Sequence, residues 1–376
     1  MSIDLVAKGV QDVYLTGNPE VSFFRQSYKR HTNFAQRSVK IVPQGNLAPG
    51  QTISLKIPNK GDLLGYIWLD LGQGTVADYV TSNAASYQNA SSPINSCGIW
   101  ADSDTNTSIF ELYIGGQLID RQDSVYMVQH WQKYLMDVST KAPAASNAGN
   151  IYTSTWLPLH FFFCDSVYLP LVSLQYHEVE VRIKFSGATS TATLNGSTTA
   201  TNMANINFYA NYVLLDTDER ASIVNKDQEL LIEQVQKISF QSNRCDLSFL
   251  NHPVKCLTWG HGDPSHTPNP ASNTVQIYLN GTEMFNVPMP DKMFNQVQAY
   301  YHSEIATYRQ AWPLDLIRMY SFALKASKHQ PCGSTNFSRL DNAALQLDTG
   351  APAYLYAVNY NILRIKSGLG GLAFSN

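Results

Sequence analysis

The sequence predicts an all-β chain of the sandwich or jelly-roll type, in which one β-domain occurs twice. Three observations carry that prediction. Apolar and polar residues alternate with a period of two in segment after segment, as half-buried strands require. Helical periodicity is scarce. A hairpin, a short helical pattern and a proline recur in the same order in the two halves.

Taken in order, "QTISLKI" (51–57) alternates, and "IFELYIGG" (109–116) alternates up to a Gly-Gly turn. "HEVEVRIKF" (177–185) sets Val179, Val181, Ile183 and Phe185 against Glu180, Arg182 and Lys184, a strand with one wet face. "NFYANYVLLD" (207–216), "TVQIYLNG" (274–281), "RMYSFAL" (318–324) and "NYNILRI" (359–365) follow the same style. Val128, Trp131, Leu135 and Val138 fit one helical face behind a cap at Asp123-Ser124. Asp216 and Glu219 have capping-box spacing ahead of a short helix over 217–224. Segments 73–108, 187–205 and 260–273 read as long loops, and 139–150 as a flexible connection.

The repeat is visible when "FELYIGGQLIDR" (110–121) is set beside "VQIYLNGTEMFN" (275–286). Each reads as strand, glycine turn, strand. A helical pattern follows each one, Val128/Trp131/Leu135 and then Phe294/Val297/Tyr301. Gly116 and Gly281 are separated by nearly the same interval as Pro170 and Pro331. Two copies of one β-domain, joined near 216–226, are the simplest account.

Composition narrows the function. Charged residues make up 15% of the 376, against ~25% in an ordinary globular protein. A folded chain this poor in charge has either a neutral Ser/Thr/Asn surface or much surface buried against partners. The net charge of −3 gives no overall basic excess for nucleic acid. The five cysteines (97, 164, 245, 256 and 332) show no disulfide framework, and a reducing compartment is expected. Residues 1–10 carry no secretory h-region, and no window offers ~18 clean apolar residues.

Catalytic and metal readings fare poorly. Cys245, His252, Cys256, His261 and His266 lack the tight pairs of a zinc site. "GLGG" (368–371) follows a strand without a helix or Lys-Ser/Thr behind it, so it reads as a tight turn and not a phosphate cradle. His177 and Glu178 are neighbours on a strand and point to opposite faces. No metal, no cofactor and no enzymatic activity are expected.

Eight segments carry a family resemblance. They are "GVQDVYLTGNPEVSFFRQSYKRHTNFA" (9–35), "LPLVSLQYHEVEV" (169–181), "LDTDER" (215–220), "LLIEQVQ" (230–236), "NHP" (251–253), "YSFALK" (320–325), "STNFSRLDNA" (334–343) and "NYNILRIKSGLGGLAF" (359–374). In that order they resemble the major capsid proteins of large icosahedral DNA viruses of eukaryotes, the algal (chlorella-type) viruses above all. The resemblance implies two tandem eight-stranded jelly rolls with a few short helices and long loops. It divides the chain into an arm (1–24), a first jelly roll (25–215) and a second (216–376), with a helical linker near 216–226. It implies homotrimers of pseudo-hexagonal outline that tile an outer shell over an internal membrane. Three subunits with two similar wedges each suit a hexagonal position. The implied partners are a second and third copy, neighbouring capsomers, minor capsid proteins beneath the shell and the inner membrane. The implied place is the virion, after synthesis in the host cytoplasm. No sequence-specific nucleic-acid contact is expected.

Within this frame the arm is the candidate contact element, through Tyr14, Asn18, Pro19, Arg25, Lys29 and Arg30. His31 extends the basic cluster, whose bland alternative is a solvated face on a first strand over 21–35. Asn89, Asn106, Asn195, Asn280 and Asn336 stand in Asn-X-Ser/Thr sequons and are candidate sugar sites. Trp131, Trp156, Trp259 and Trp312 are candidate core or interface anchors. Three rivals remain: a minor capsid protein of the same fold, a carbohydrate-binding β-sandwich using loop aromatics such as Tyr300-Tyr301, and a jelly-roll enzyme. The last needs clustered histidines that the strands lack.

Overall fold

The computed structural model describes residues 9–26, 28–48, 50–70, 107–136, 156–165, 167–185, 191–194, 197–200, 206–260, 274–304, 317–348 and 354–375. Contacts divide the chain into two compact units, Met1–Asn33 and Phe34–Asn376. The first unit contains a single helical turn, α1 (Val13–Thr16), closed by the Thr16 hydroxyl donating to the Asp12 carbonyl (2.8 Å). Among the described residues of 21–33 there is no strand; the first described strand begins at Phe34.

The strands of the second unit fall into two sets. The first is β1 (Phe34–Ile41), β2 (Thr52–Lys56), β3 (Leu63–Asp70), β4 (Ile109–Ile114), β5 (Gln117–Asp123), β6 (Trp156–Pro158), β7 (Leu169–Pro170), β8 (Val179–Lys184), β9 (Thr191–Leu194), β10 (Ser197–Ala200) and β11 (Asn207–Leu215). The second is β12 (Gln228–Ser239), β13 (Arg244–Asp246), β14 (Pro253–Gly260), β15 (Thr274–Leu279), β16 (Thr282–Glu283), β17 (Met289–Pro290), β18 (Ile317–Ser321), β19 (Thr335–Asn336), β20 (Ala343–Leu347), β21 (Tyr354–Lys366) and β22 (Leu369–Leu372). Between them run α2 (Tyr126–Leu135, wound as a π-helix), α3 (Thr217–Val224) and, after a π-turn at Met293–Val297, α4 (Gln298–His302).

The two sets build the same fold. In the first, one sheet runs β1-β11-β3-β6 with β7 also on β3, and the other runs β2-β8-β4-β5. In the second, the orders are β12-β21-β14-β18 and β13-β20-β15-β16, with β19 on β14 and β17 on β15. With the β9–β10 ribbon and the terminal β22 set aside, first strand beside last and second beside next-to-last is the jelly-roll order. The duplication reaches into the register. Lys40 pairs with Tyr209, which pairs with Trp68; Lys237 pairs with Tyr356, which pairs with Thr258. "Tyr209-Ala210-Asn211-Tyr212" and "Tyr356-Ala357-Val358-Asn359-Tyr360" are therefore one motif, the second copy longer by one residue.

Alternation places the core as the sequence predicts. In β8, Val179, Val181 and Ile183 are buried while Glu180 and Arg182 are half-buried. On that wetter face Arg182 pairs with Glu180 (2.9 Å) and lies over the Tyr113 ring (4.2 Å), and Lys56 pairs with Glu178 (3.3 Å). The second jelly roll packs Trp259, Phe285, Phe294 and Tyr320 into an aromatic cluster, with Trp259 and Phe294 centroids 5.4 Å apart.

Some expectations are corrected. The segment 187–205, read as an unstructured loop, contains the antiparallel ribbon β9–β10. Its β-branched threonines favour strand. Asp216 caps α3, but it accepts from Thr217 N–H (2.8 Å), so the capping box is not the geometry used. The expected loop 139–150, most of 73–108, residues 261–273, Val138 and Trp312 lie outside the described residues.

The hairpins that revealed the repeat turn in the same way. Gly115 and Gly116 have φ of 58° and 81°; Asn280 and Gly281 have 51° and 74°. Both central residues positive is the I′ turn that suits the twist of paired strands. The first hairpin is the tighter: a Cβ on Gly115 would lie 2.3 Å from the His177 ring, while one on Gly116 would meet nothing within 4 Å. Gly116→Ala should therefore cost only the left-handed penalty of about 1–2 kcal/mol. Gly115→Ala should cost a further ~1–3 kcal/mol because the His177 ring must move. Urea midpoints of the two variants check this; equal costs would refute the close approach.

Candidate assembly surfaces

Asp120, Gln122 and Asp123 of β5 and His130 and Tyr134 of α2 are buried. They form a seam between the two jelly rolls. Asp123 ends β5, and its Oδ1 accepts the Tyr126 N–H (2.8 Å) at the head of α2, which is the cap the sequence suggests. Its Oδ2 accepts from Lys237 Nζ (2.6 Å) and the Tyr356 hydroxyl (2.8 Å), both of the second jelly roll. Lys237 Nζ also sits 3.6 Å above the Tyr354 ring. Asp120 accepts from the N–H groups of Val235 (3.0 Å) and Arg121 (2.9 Å) and from Gln122 Nε2 (2.7 Å). Gln234 Nε2 donates to the Ile119 carbonyl.

From α2, the Tyr134 hydroxyl donates to the Ile317 carbonyl (2.6 Å), and the Tyr126 and His130 rings lie 5.5 and 4.6 Å from that of Tyr356. The expected face of this helix is only part of the story. Leu135 is buried and Trp131 stacks on His160 (3.6 Å), but Tyr126, His130 and Tyr134 meet the second jelly roll.

A second strap closes the seam. The turn at Ser367-Gly368 returns β21 into β22, as a tight turn over "GLGG" requires. This hairpin reaches the first jelly roll. Tyr176 N–H donates to the Gly368 carbonyl (3.1 Å), and Leu372 N–H donates to Gln117 Oε1 (3.2 Å). His177 Nδ1 lies 3.1 Å from the Gly370 nitrogen. A Cβ on Gly370 would stand 2.6 Å from Leu174 Cδ2, so the close approach needs glycine.

Buried ionisable groups on the seam are mostly compensated. Burial pushes Glu233 up, but Lys255 (2.6 Å) and His329 outweigh it and hold its carboxyl below the usual range. Asp120 is the exception: burial pushes it up to about 6 despite its three donors. Burial also pushes the Cys245 and Cys256 thiols up to about 12, so neither offers a thiolate to a metal. They sit in different cores, and no three metal-ligating side chains converge among the described residues. His261 and His266 lie outside the described residues.

The arm presents a different surface. Tyr14 stands in α1 and is 92% exposed; Phe23 and Phe24 are 94% and 99% exposed. Asn18 adopts a φ of 49° ahead of Pro19, and Arg25, Lys29 and Arg30 are exposed. Among the described residues no side-chain hydrogen bond or ion pair joins the six candidate contact residues to one another. Of the sequons, Asn280 accepts from Asp341 N–H (3.0 Å) in its hairpin turn, and Asn336 accepts from Ser338 N–H (3.0 Å). Asn89, Asn106 and Asn195 lie outside the described residues. A cleft of about 710 Å³ beside α3 is lined by Lys60, Asp62, Gln175 and Arg220, but Asp62 and Arg220 already pair at 3.0 Å.

The comparisons with known proteins agree with this architecture over nearly the whole chain. Residues 22–216 match the family described as the major capsid protein N-terminus, and residues 219–371 match the large eukaryotic DNA virus major capsid protein. The chain belongs to the major capsid protein family of large eukaryotic DNA viruses. This capsid protein is 34% identical over 413 residues to the major capsid protein of Pyramimonas orientalis virus, covering 100% of this chain and 99% of that one. It is 29% identical over 461 residues to that of Paramecium bursaria Chlorella virus 1, covering 99% and 98%. In the quasi-atomic model of the PBCV-1 virus capsid the match has a TM-score of 0.70 at 26% identity, covering 94% of this chain and 100% of the other. The Faustovirus major capsid protein shares the fold at a TM-score of 0.59 and 12% identity, covering 96% and 94%. The chain is a structural protein of the virion with a double jelly-roll fold, not an enzyme.

Two outcomes test the seam of this capsid protein. Asp123→Ala should cost ~2–4 kcal/mol in urea denaturation, because it strands Lys237 and Tyr356. Pairing it with Lys237→Met should recover part of that loss, as coupled residues do. Asp120 has its pKa raised on folding, so its protonated form adds stability below pH ~4 that is lost as pH rises through about 6. The lost contribution is about 3 kcal/mol. Asp120→Asn should flatten the stability profile between pH 4 and 6; an unchanged slope would place the titrating group elsewhere.

Proposed function

We propose that this chain is the shell-forming subunit of its virion: three copies close into a pseudo-hexagonal capsomer, and capsomers tile an icosahedral outer shell over an internal membrane. The observation that carries this reading is the repeated strand order of the two jelly rolls. A closed threefold oligomer of such chains presents six similar wedges to its neighbours. In this reading the chain divides into an arm (1–24), a first jelly roll (25–215) and a second (216–376), joined by the short helix near 216–226. Synthesis takes place in the host cytoplasm.

The arm supplies contacts between capsomers or to minor capsid proteins beneath the shell, through Tyr14, Asn18, Pro19, Arg25, Lys29 and Arg30. Its support is chemical. A polar-backboned segment with Tyr14, Phe23 and Phe24 almost wholly in water is short of a partner. The basic residues Arg25, Lys29 and Arg30 suit an acidic partner surface, whether protein or lipid headgroup.

Light scattering on the purified chain tests the oligomer. The expected mass is three times that of the chain, and a monomer at high concentration refutes the self-assembling capsomer. Removing residues 1–24 should leave that trimer intact and abolish tiling, read by electron microscopy of assembly reactions. Sheets or shells of normal yield from the truncated chain would refute the arm's role.

A further inference from the structure

Inside one chain a helix of the first jelly roll docks on a sheet of the second, and among the described residues nothing makes the reciprocal contact. The receiving surface is the outer face of β12-β21-β14-β18, where Tyr356 meets Tyr126, His130 and, through Asp123, the head of α2. Tyr126, His130 and Tyr134 are each no more than 3% exposed there.

The counterpart face in the first jelly roll is that of β1-β11-β3-β6. Its register carries the same residues: Lys40 beside Tyr209, as Lys237 stands beside Tyr356. Trp68 stacks on Tyr209 at 4.5 Å. Nearby, Tyr66 and Tyr168 remain 44% and 42% exposed. Gly65 keeps this face low, since a Cβ there would meet the Tyr168 ring at 3.0 Å.

The counterpart of α2 in the second jelly roll is the π-turn Met293–Val297 running into α4. Each of the two helices follows the strands after an I′ hairpin and precedes the next strand of its β1-type sheet. Phe294 of this second helix is buried in its own core, but Val297, Tyr300 and Tyr301 are 46%, 78% and 63% exposed. Tyr300 and Tyr301 pack edge-on at 4.9 Å, forming a preassembled aromatic ridge.

We propose that the Val297/Tyr300/Tyr301 ridge of one copy seats on the Tyr66/Trp68/Tyr209 face of a second copy, repeating between chains the contact that α2 makes within one. The inference rests on the trimer reading above and names the faces that build it. The internal contact is heterologous, a helix on a sheet, so each chain ends with one helix ridge and one sheet face unused. Heterologous contacts satisfy both ends only by closing into a ring. Tyrosine and tryptophan suit such a surface, since their rings bury area while their polar edges keep a hydrogen-bonding atom. Two like faces meeting each other would instead leave the duplicated Lys40–Tyr209 register without its helix.

The test uses the full chain and two kinds of variant. Tyr300→Asp and Tyr66→Asp each alter an exposed side chain, so near-ultraviolet circular dichroism should match the unsubstituted protein. Light scattering should show each falling to the mass of a single chain at concentrations where the unsubstituted protein is a trimer. The second variant carries Tyr66→Cys and Tyr300→Cys together. Mild oxidation should give a disulfide ladder that stops at three chains on a non-reducing gel, absent from the unsubstituted chain. If the unsubstituted protein is a trimer while both aspartate variants stay trimeric and no ladder forms, the assigned faces are wrong and the trimer reading stands. A monomeric unsubstituted chain overturns both. Should an aspartate variant misfold, the cysteine pair decides.

Discussion

β12 and β21 are shared between two cores, and much of the remaining architecture follows from that. They are 12 and 13 residues long, well beyond the span one sandwich needs. Leu355 and Ala357 of β21 pack inside the second jelly roll, while Tyr356, Val358, Leu363 and Ile365 join the core of the first. A strand cannot serve two cores and let them swivel. Closely packed interiors resist such shear. The angle between the jelly rolls is therefore a property of the sheet itself, and not of a linker.

The seam uses polar side chains where an ordinary core would use apolar ones. Asp120, Asp123, Gln234, Lys237, Asn359 and Asn361 all lie in it or at its edge. Replacing such groups by well-packed hydrophobes often leaves stability unchanged. What the polar set adds is register, because its donors are matched to particular acceptors and a slipped strand would orphan several at once.

Period-two alternation made the strands legible, since each has one dry and one wet face. The hairpin turns were legible through Gly-Gly and Asn-Gly. The seam was not. Tyr126, His130 and Tyr134 read as wet on any hydropathy pattern, yet the Tyr134 hydroxyl and the rings of Tyr126 and His130 meet the other jelly roll 160 or more residues away. Winding as a π-helix also shifts which residues share a face, so of the expected stripe Trp131 and Leu135 meet the near core and do not reveal the seam. A usable signal did exist. β5 reads "QLIDRQD", whose adjacent Leu118 and Ile119 followed by four polar residues lack the period of two that a strand with one wet face would keep. The second copy of the tyrosine motif was hidden by the extra Val358.

The clasp from Gly368 to Leu372 has a consequence for the timing of biosynthesis. β22 is translated after every other described strand, yet it fastens onto Tyr176, His177 and Gln117 of the first jelly roll. The first jelly roll emerges from the ribosome and collapses while β22 is still untranslated, at ~5–20 residues per second. The latch thus arrives last, and a nascent or prematurely terminated chain lacks it. An incomplete chain that stops just short of Gly368 therefore keeps both jelly rolls' other strands but leaves the seam between them unfastened at this end.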